Sequence, residues 1–318
     1  MTDTPAGIPG LTPLQLRTLQ ALRRTDPPLT FDQTFVDDLR HELDGALDEL
    51  GARMGDDQQL SVTKWAIGAV LDCEAHHLAP DDFSWTPARA RGSVAHKAIQ
   101  LLVNWRGEPT PADAVDDALA RLADDERSRG DWVAGLSSGD LADLRGQTIE
   151  RVTTFVECFP PLDARWHPMT ESPVRYPIDG PIVLKARVDL VVGRQVGRES
   201  RKVIVDLKSG RIVQRHRDDL RFYALVHALR TDVPPRKLAS FSLDAGAAVV
   251  EDVNEPLLRS ALARTIDAMT RMVELRAEGR EPTRSPGPSC RWCPLTDDCA
   301  PGRTYLMGES DGDPDADD

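Results

Sequence analysis

Aromatic side chains are scarce in this chain. Phe, Trp and Tyr make up 5% of 318 residues, so aliphatic side chains must build the core, and an apolar content of 40% suffices for one large domain or two small ones. Cysteine is scarce as well. Five cysteines in so long a chain are too few for a secreted disulfide framework. No apolar run reaches the ~18 residues of a membrane-spanning helix, and Met1-Thr2-Asp3 begins neither a signal peptide nor a transit peptide. A soluble, cytoplasmic protein without a membrane partner is expected. Basic charge is the minority sign, 39 Lys and Arg against 52 Asp and Glu, and the net −13 argues at first against a nucleic-acid partner.

The total hides an uneven distribution. The tail after Met307 carries six acids and no base, which leaves −7 on residues 1–307, whereas Lys185 to Lys237 holds fourteen basic and six acidic residues, net +8. A local basic field therefore exists. The tail, without apolar residues to pack, is expected to be disordered.

Helical spacing of apolar residues predicts helices over about 11–25, 30–53, 61–79, 91–105, 111–127 and 139–158. From about residue 168 the pattern turns to β: Glu171–Ile178, Ile182–Val192 and Lys202–Leu207, then a helix over Arg217–Leu229, a strand near Lys237–Leu243 and a helix over 254–279. The expected fold class is α/β, with a helical N-terminal half.

Val203 to Gly210 is an apolar strand that turns Asp206 and Lys208 to one face, because strand side chains alternate. The preceding strand carries Asp189. A hairpin turn centred near residues 197 and 198 sets Asp189 opposite Asp206. Two facing carboxylates repel unless something positive lies between them, so a divalent cation is the natural occupant, and removing one carboxylate should relieve the repulsion. Such an ion acidifies a water and neutralises charge on a phosphate, while Lys208 orients that water.

Three thiols crowd into Cys290-x2-Cys293-x5-Cys299, and Cys73 is the obvious fourth. Four thiolates suit Zn²⁺, with His76 or His77 as substitute ligands, or an iron–sulfur cluster. Either would staple the N-terminal helices to the C-terminus across a long loop. Cys158 is left over as a buried thiol.

These motifs stand in a recognisable order: Gly92 and His96, then Glu171, Ala186-Arg-Val-Asp189, Asp206-Leu-Lys208, Asp219-Leu-Arg-Phe-Tyr223 and the cysteines. In that order the chain resembles the RecB-like branch of the PD-(D/E)XK nucleases, which includes the AddB nuclease module and the CRISPR-associated iron–sulfur exonucleases. The resemblance implies a restriction-endonuclease-like core, a central mixed sheet flanked by helices. It divides the chain into an N-terminal helical extension (1–60), the nuclease domain (61–305) and an acidic tail (306–318). It implies Mg²⁺ or Mn²⁺ held by His96, Asp189, Asp206 and the Leu207 carbonyl. Lys208 would be the catalytic lysine, with Glu171 and Tyr223 in support. Cys73, Cys290, Cys293 and Cys299 would hold a [4Fe–4S] cluster, with Zn²⁺ as the alternative. DNA would be the partner, met by Arg187, Arg211, Arg215, Arg217 and Arg221, and cut from single-stranded ends in repair, recombination or defence, beside a helicase or another protein of those pathways. The rival readings are a non-catalytic DNA-binding module and a zinc-stapled helical adaptor. Ala186 stands where the family has Gly, and Asp219 where it has Gln.

Overall fold

The computed structural model describes residues 10–23, 28–55, 58–80, 83–123 and 128–310. Helix α1 (Pro13–Leu22) begins on a capping box, in which the Thr12 hydroxyl accepts from Gln15 N–H and the Gln15 side chain accepts from Thr12 N–H. Helix α2 (Gln33–Ala52) is capped by Asp32 and buries Phe35, Val36, Leu39, Leu43, Leu47 and Leu50 along one stripe. Each such side chain contributes about 2 kcal/mol when fully buried, so this helix is part of the core rather than an appendage.

Strand β1 (Leu60–Val62) comes next, then α3 (Lys64–Asp72) and α4 (Glu74–Leu78). The expected single helix over 61–79 is thus corrected twice. Its start is a strand, and it breaks at Cys73, whose backbone is extended at φ −158 and ψ 114. Helices α5 (Pro87–Asn104), α6 (Pro111–Ala123), α7 (Ser128–Ala134) and α8 (Ser138–Cys158) complete the helical half.

The sheet follows with β2 (Met169–Tyr176), β3 (Ile182–Val192) and β4 (Val203–Lys208), then α9 (Gln214–Thr231), β5 (Lys237–Ser242) and β6 (Ala247–Asp252). Helix α10 (Glu255–Ala277) leads to the cysteine segment and α11 (Ala300–Ser310). Strand β6 was not foreseen, and α11 runs into the first residues of the expected tail; residues 311–318 of that tail lie outside the described residues.

Six strands pair in the order β1-β3-β4-β5-β6, with β2 also on β3. The pairs β1–β3 and β4–β5 are parallel and the others antiparallel, which makes the sheet mixed. The parallel step from β4 to β5 needs a crossover, and α9 supplies it. One face packs with α2, α3, α9 and α10 around Leu39, Leu184, Ile204 and Leu225; the other packs with α5, α6 and α8 around Ile99, Leu190, Val205 and Phe241. This mixed sheet between two helical layers is the expected core.

Candidate active site

Strands β3 and β4 pair as Val192↔Val203, Val191↔Ile204 and Leu190↔Val205. The next step in that register sets Asp189 against Asp206, as the hairpin argument requires. Main-chain pairing ends there. Asp189 Oδ2 instead accepts from Leu207 N–H at 2.7 Å, so a carboxylate takes over from a carbonyl where the strands part.

The site also bends the sheet. Ile182, Leu184, Ala186 and Val188 belong to the first core, and so does Val191, whereas Leu190 faces the second. Alternation therefore slips by one residue at Asp189. Across from it, between the pairs Thr170↔Leu190 and Ser172↔Val188, Glu171 has a left-handed φ of 49, a strained conformation for a side-chain-bearing residue. Helix α5 brings the histidine. A Cβ added to Gly92 would lie 2.9 Å from Ser209 Oγ, so α5 runs close to the end of β4 here and a side chain would have to displace the Ser209 hydroxyl. His96 lies one turn further on the same helix face. His96, Glu171 and Asp189 offer ligand atoms that all lie within 4.8 Å of one another, and His96 Nδ1 is 3.5 Å from Asp189 Oδ1.

Asp206 is 1% exposed and lies between two ammonium groups, Lys64 Nζ at 3.3 Å from Oδ1 and Lys208 Nζ at 2.8 Å from Oδ2. The Lys208 contact is an ion pair without hydrogen-bond alignment, which leaves Oδ2 without an aligned donor. Lys64, the first residue of α3, was not foreseen. Its ammonium also lies 3.9 Å from Asp219 Oδ2 and 4.9 Å from the centre of the buried Tyr223 ring. Asp219 and Tyr223 are one turn apart on α9, so both present to the same lysine.

Burial would discharge Lys64, yet Asp206, Tyr223, Asp219 and Asp189 hold its ammonium above the ordinary lysine range. Burial likewise pushes Asp189 up, but His96, the Leu207 amide and Lys64 prevail and keep it below the carboxylate range. Glu171 is driven the other way, by burial and by the charge of Asp189. His96 is raised, because Asp189, Asp206 and Glu171 outweigh its burial. His216 on α9, also unforeseen, is pushed down to about 4 by burial and by Lys208.

The expected DNA-contacting arginines divide. Arg211 and Arg215 are exposed, and Arg187 is exposed 3.8 Å from Glu171 Oε2. Arg217 and Arg221 both pair with Glu251 on β6, at 3.1 and 2.5 Å.

Far along the chain, Cys73, Cys290, Cys293 and Cys299 line one small cavity with His76, Thr296 and Gly302. Burial, together with the charge of the other three, raises the Cys293 thiol. A Cβ on Gly302 would come within 3.3 Å of Cys299 Sγ and 3.5 Å of Cys290 Sγ, filling the space between them. A clamp beside the cavity joins its two halves. Glu74 accepts from Arg280 Nη2 at 2.8 Å, Arg280 Nη1 at 2.9 Å and Thr283 N–H at 2.8 Å, and its carboxyl is pulled down to about 2 by Arg280 against the effect of burial. Cys158 lies elsewhere, in the second core against Gly246.

Compared with known proteins, residues 61–300 match the family model of the PD-(D/E)XK nuclease superfamily. The chain belongs to this superfamily. Among curated proteins none matches. Solved structures similar to this PD-(D/E)XK chain include a protein from Eubacterium rectale assigned as an exonuclease, with 13% identity and a TM-score of 0.45 over 80% of this chain and 94% of that one. Another is the protein SSO0001, with 13% identity and a TM-score of 0.32 over 84% of this chain and 96% of that one. Nucleases of this superfamily use divalent metal ions, and the His96, Glu171 and Asp189 group is an acidic site able to take one. Among the described residues no helix is long and apolar enough to cross a membrane.

Proposed function

We propose that this PD-(D/E)XK chain is a Mg²⁺- or Mn²⁺-dependent deoxyribonuclease that hydrolyses phosphodiester bonds at the ends of single-stranded DNA. The observation that carries the reading is the cluster where β3 and β4 part: Asp189 accepts from the Leu207 amide and groups with His96 and Glu171, while Lys208 lies 2.8 Å from the buried Asp206. The donor set fits a hard cation: carboxylate oxygens, one of them buried without an aligned donor, beside an imidazole. His96, Asp189, Asp206 and the Leu207 carbonyl would hold it, with Glu171 beside them. When bound, the ion supplies a Lewis acid for the phosphate and lowers the pKa of a water. Lys208 orients the attacking water and offers positive charge as one P–O bond forms and another breaks. Lys64, 3.3 Å from Asp206 Oδ1, sets a fixed positive charge beside this buried carboxylate. Tyr223 and Asp219 in turn hold Lys64 in place.

Cys73, Cys290, Cys293 and Cys299 hold a [4Fe–4S] cluster that staples the two ends of the domain. Four thiolates serve a cluster or Zn²⁺ alike, and the order of motifs that the chain shares with the iron–sulfur nucleases favours the cluster.

The test is digestion of end-labelled single- and double-stranded oligonucleotides in EDTA, Mg²⁺ and Mn²⁺, alongside iron, sulfide and zinc analysis. Stepwise shortening of single strands with metal, none in EDTA, and four irons per chain are expected. Intact DNA under every condition would overturn the nuclease reading, and stoichiometric zinc without iron would overturn the cluster.

A further inference from the structure

A groove of about 1070 Å³ runs beside the carboxylate site, and Lys64, Trp65 and Tyr223 line its inner end. Arg175, Lys185 and Arg187 continue it along the β2–β3 ribbon. None of its lining residues is acidic, in a chain of net charge −13. Its basic side chains are thus segregated from an acidic whole, as a polyanion track requires.

Two features in the groove oppose stability. Arg175 and Lys185 are directly paired across β2 and β3, and both are exposed. Like charges in that position repel. Lys185 Nζ donates to Ser61 Oγ at 2.7 Å, and among the described residues neither cation has a carboxylate within 4.0 Å. A phosphate seated between them would relieve the repulsion. The second feature is Trp65, 62% exposed on the first turn of α3 although the chain has few aromatics to spare from its core. It adjoins Lys64, whose ammonium reaches Asp206, so an aromatic face stands at the entrance to the chemistry. Every base has a π-face that such a ring can stack on, but only an unpaired base exposes it. Lys185 and Asp189 are four residues apart on β3, about 13 Å at strand rise. The phosphate seat and the carboxylates are therefore a short stretch of nucleic acid apart.

We propose that this groove selects an unpaired strand, with Trp65 as the stacking platform for a base and Arg175 with Lys185 as the shared seat of one phosphate. The inference rests on the DNA reading above and adds the determinant of strand preference.

Fluorescence anisotropy with a labelled single-stranded oligonucleotide and a duplex of the same sequence, in EDTA where cleavage is off, tests it. Trp65→Ala should weaken single-strand binding about tenfold and leave duplex binding unchanged, while Trp65→Phe keeps most of the affinity. Arg175→Glu should flatten the salt dependence of single-strand binding by about one unit of slope. Since Trp65 is exposed, thermal unfolding of Trp65→Ala should match wild type, and Arg175→Glu, which replaces the repulsion with Lys185 by an attraction, should unfold no lower. Unchanged single-strand affinity in Trp65→Ala, or an equal loss on duplex, would overturn the proposal. Failure of the two readings can be told apart. A wild-type protein that shows this binding pattern yet cuts no DNA refutes the nuclease and leaves the groove standing. One that cuts DNA while Trp65→Ala binds normally refutes the groove alone.

Discussion

The carboxylate site and the thiol cavity both gather anion-forming side chains from distant parts of the chain, but they are held together differently. Around the carboxylates the protein supplies its own cations: Lys64 and Lys208 flank Asp206, and His96 faces Asp189. The thiols share their cavity with His76, Arg284 and Gly302, and the Glu74–Arg280 clamp beside it joins the chain segments rather than the sulfurs. The first arrangement balances its carboxylates with side-chain cations and leaves the His96, Glu171 and Asp189 group for an ion that comes and goes. The second gathers four thiols around one cavity, a donor set for a soft metal bound as thiolate, which suits a permanent staple.

The largest effect that would break this comparison is on catalysis. Lys208→Ala should lower the cleavage rate by about two to four powers of ten with little change in KM, because the ammonium acts on the reacting phosphate and water rather than on binding. Single-turnover digestion in Mn²⁺ measures it, and a variant that cuts at the wild-type rate would remove Lys208 from the site.

Next comes the clamp. Glu74→Ala leaves Arg280 and the Thr283 amide without their buried partner, so unfolding free energy should drop by about 3 kcal/mol, and the cavity should lose its metal more readily to a chelator. Denaturant titration before and after chelation checks both. If the loss of stability persisted unchanged in the metal-free protein and chelation rates did not move, the clamp would have nothing to do with the thiols.

A smaller effect separates the two expectations for Asp206. Facing carboxylates, taken alone, predict that Asp206→Ala relieves repulsion and stabilises the protein without metal. The structure reverses the sign. Removing Asp206 leaves the ammonium groups of Lys64 and Lys208 unopposed, so the variant should be less stable by about 2 kcal/mol. Adding Lys64→Met to it should recover part of that loss, a coupling that a double-mutant cycle in EDTA would read. A more stable Asp206→Ala would restore the simpler picture.

That reversal shows where the sequence is legible. Asp189 and Asp206 could be matched because a hairpin with alternating apolar residues fixes its own register. Lys64 could not. It reaches the site through β1, a strand of three residues whose parallel pairing with Ile182–Leu184 leaves no local period to read. The same blindness hid the partner of two arginines. Strand β6 buries little and carries a weak pattern, so Glu251, the partner of Arg217 and Arg221, was invisible as a neighbour thirty residues away. Gly92 was legible as part of a motif, but its reason, the contact with Ser209, belongs to the fold. The cysteine cavity was legible because thiols are rare and clustered; the clamp beside it was not, since Glu74 and Arg280 are ordinary residues until the chain folds.

The smallest predicted effect lies away from both sites and sharpens the comparison by separating their acid response from that of the rest of the fold. His227 on α9 is buried, with Lys202 Nζ 3.1 Å from its Nε2. Burial first, and then Lys202, push its pKa down to about 3. Above pH 6.5 the ring is neutral whether the chain is folded or not, so it contributes no pH dependence there. Below 6.5 the unfolded chain takes up a proton that the folded chain refuses until about pH 3, and stability falls throughout that window. Between pH 7 and 5.5 the loss should be about 1 kcal/mol. His227→Gln removes the titration, so its stability should decline less steeply than wild type over that interval, by the same amount. Urea titrations of both proteins at the two pH values give the difference directly. Parallel curves would mean that His227 titrates alike in the folded and the unfolded chain, and the acid sensitivity of the protein would then have to come from other groups.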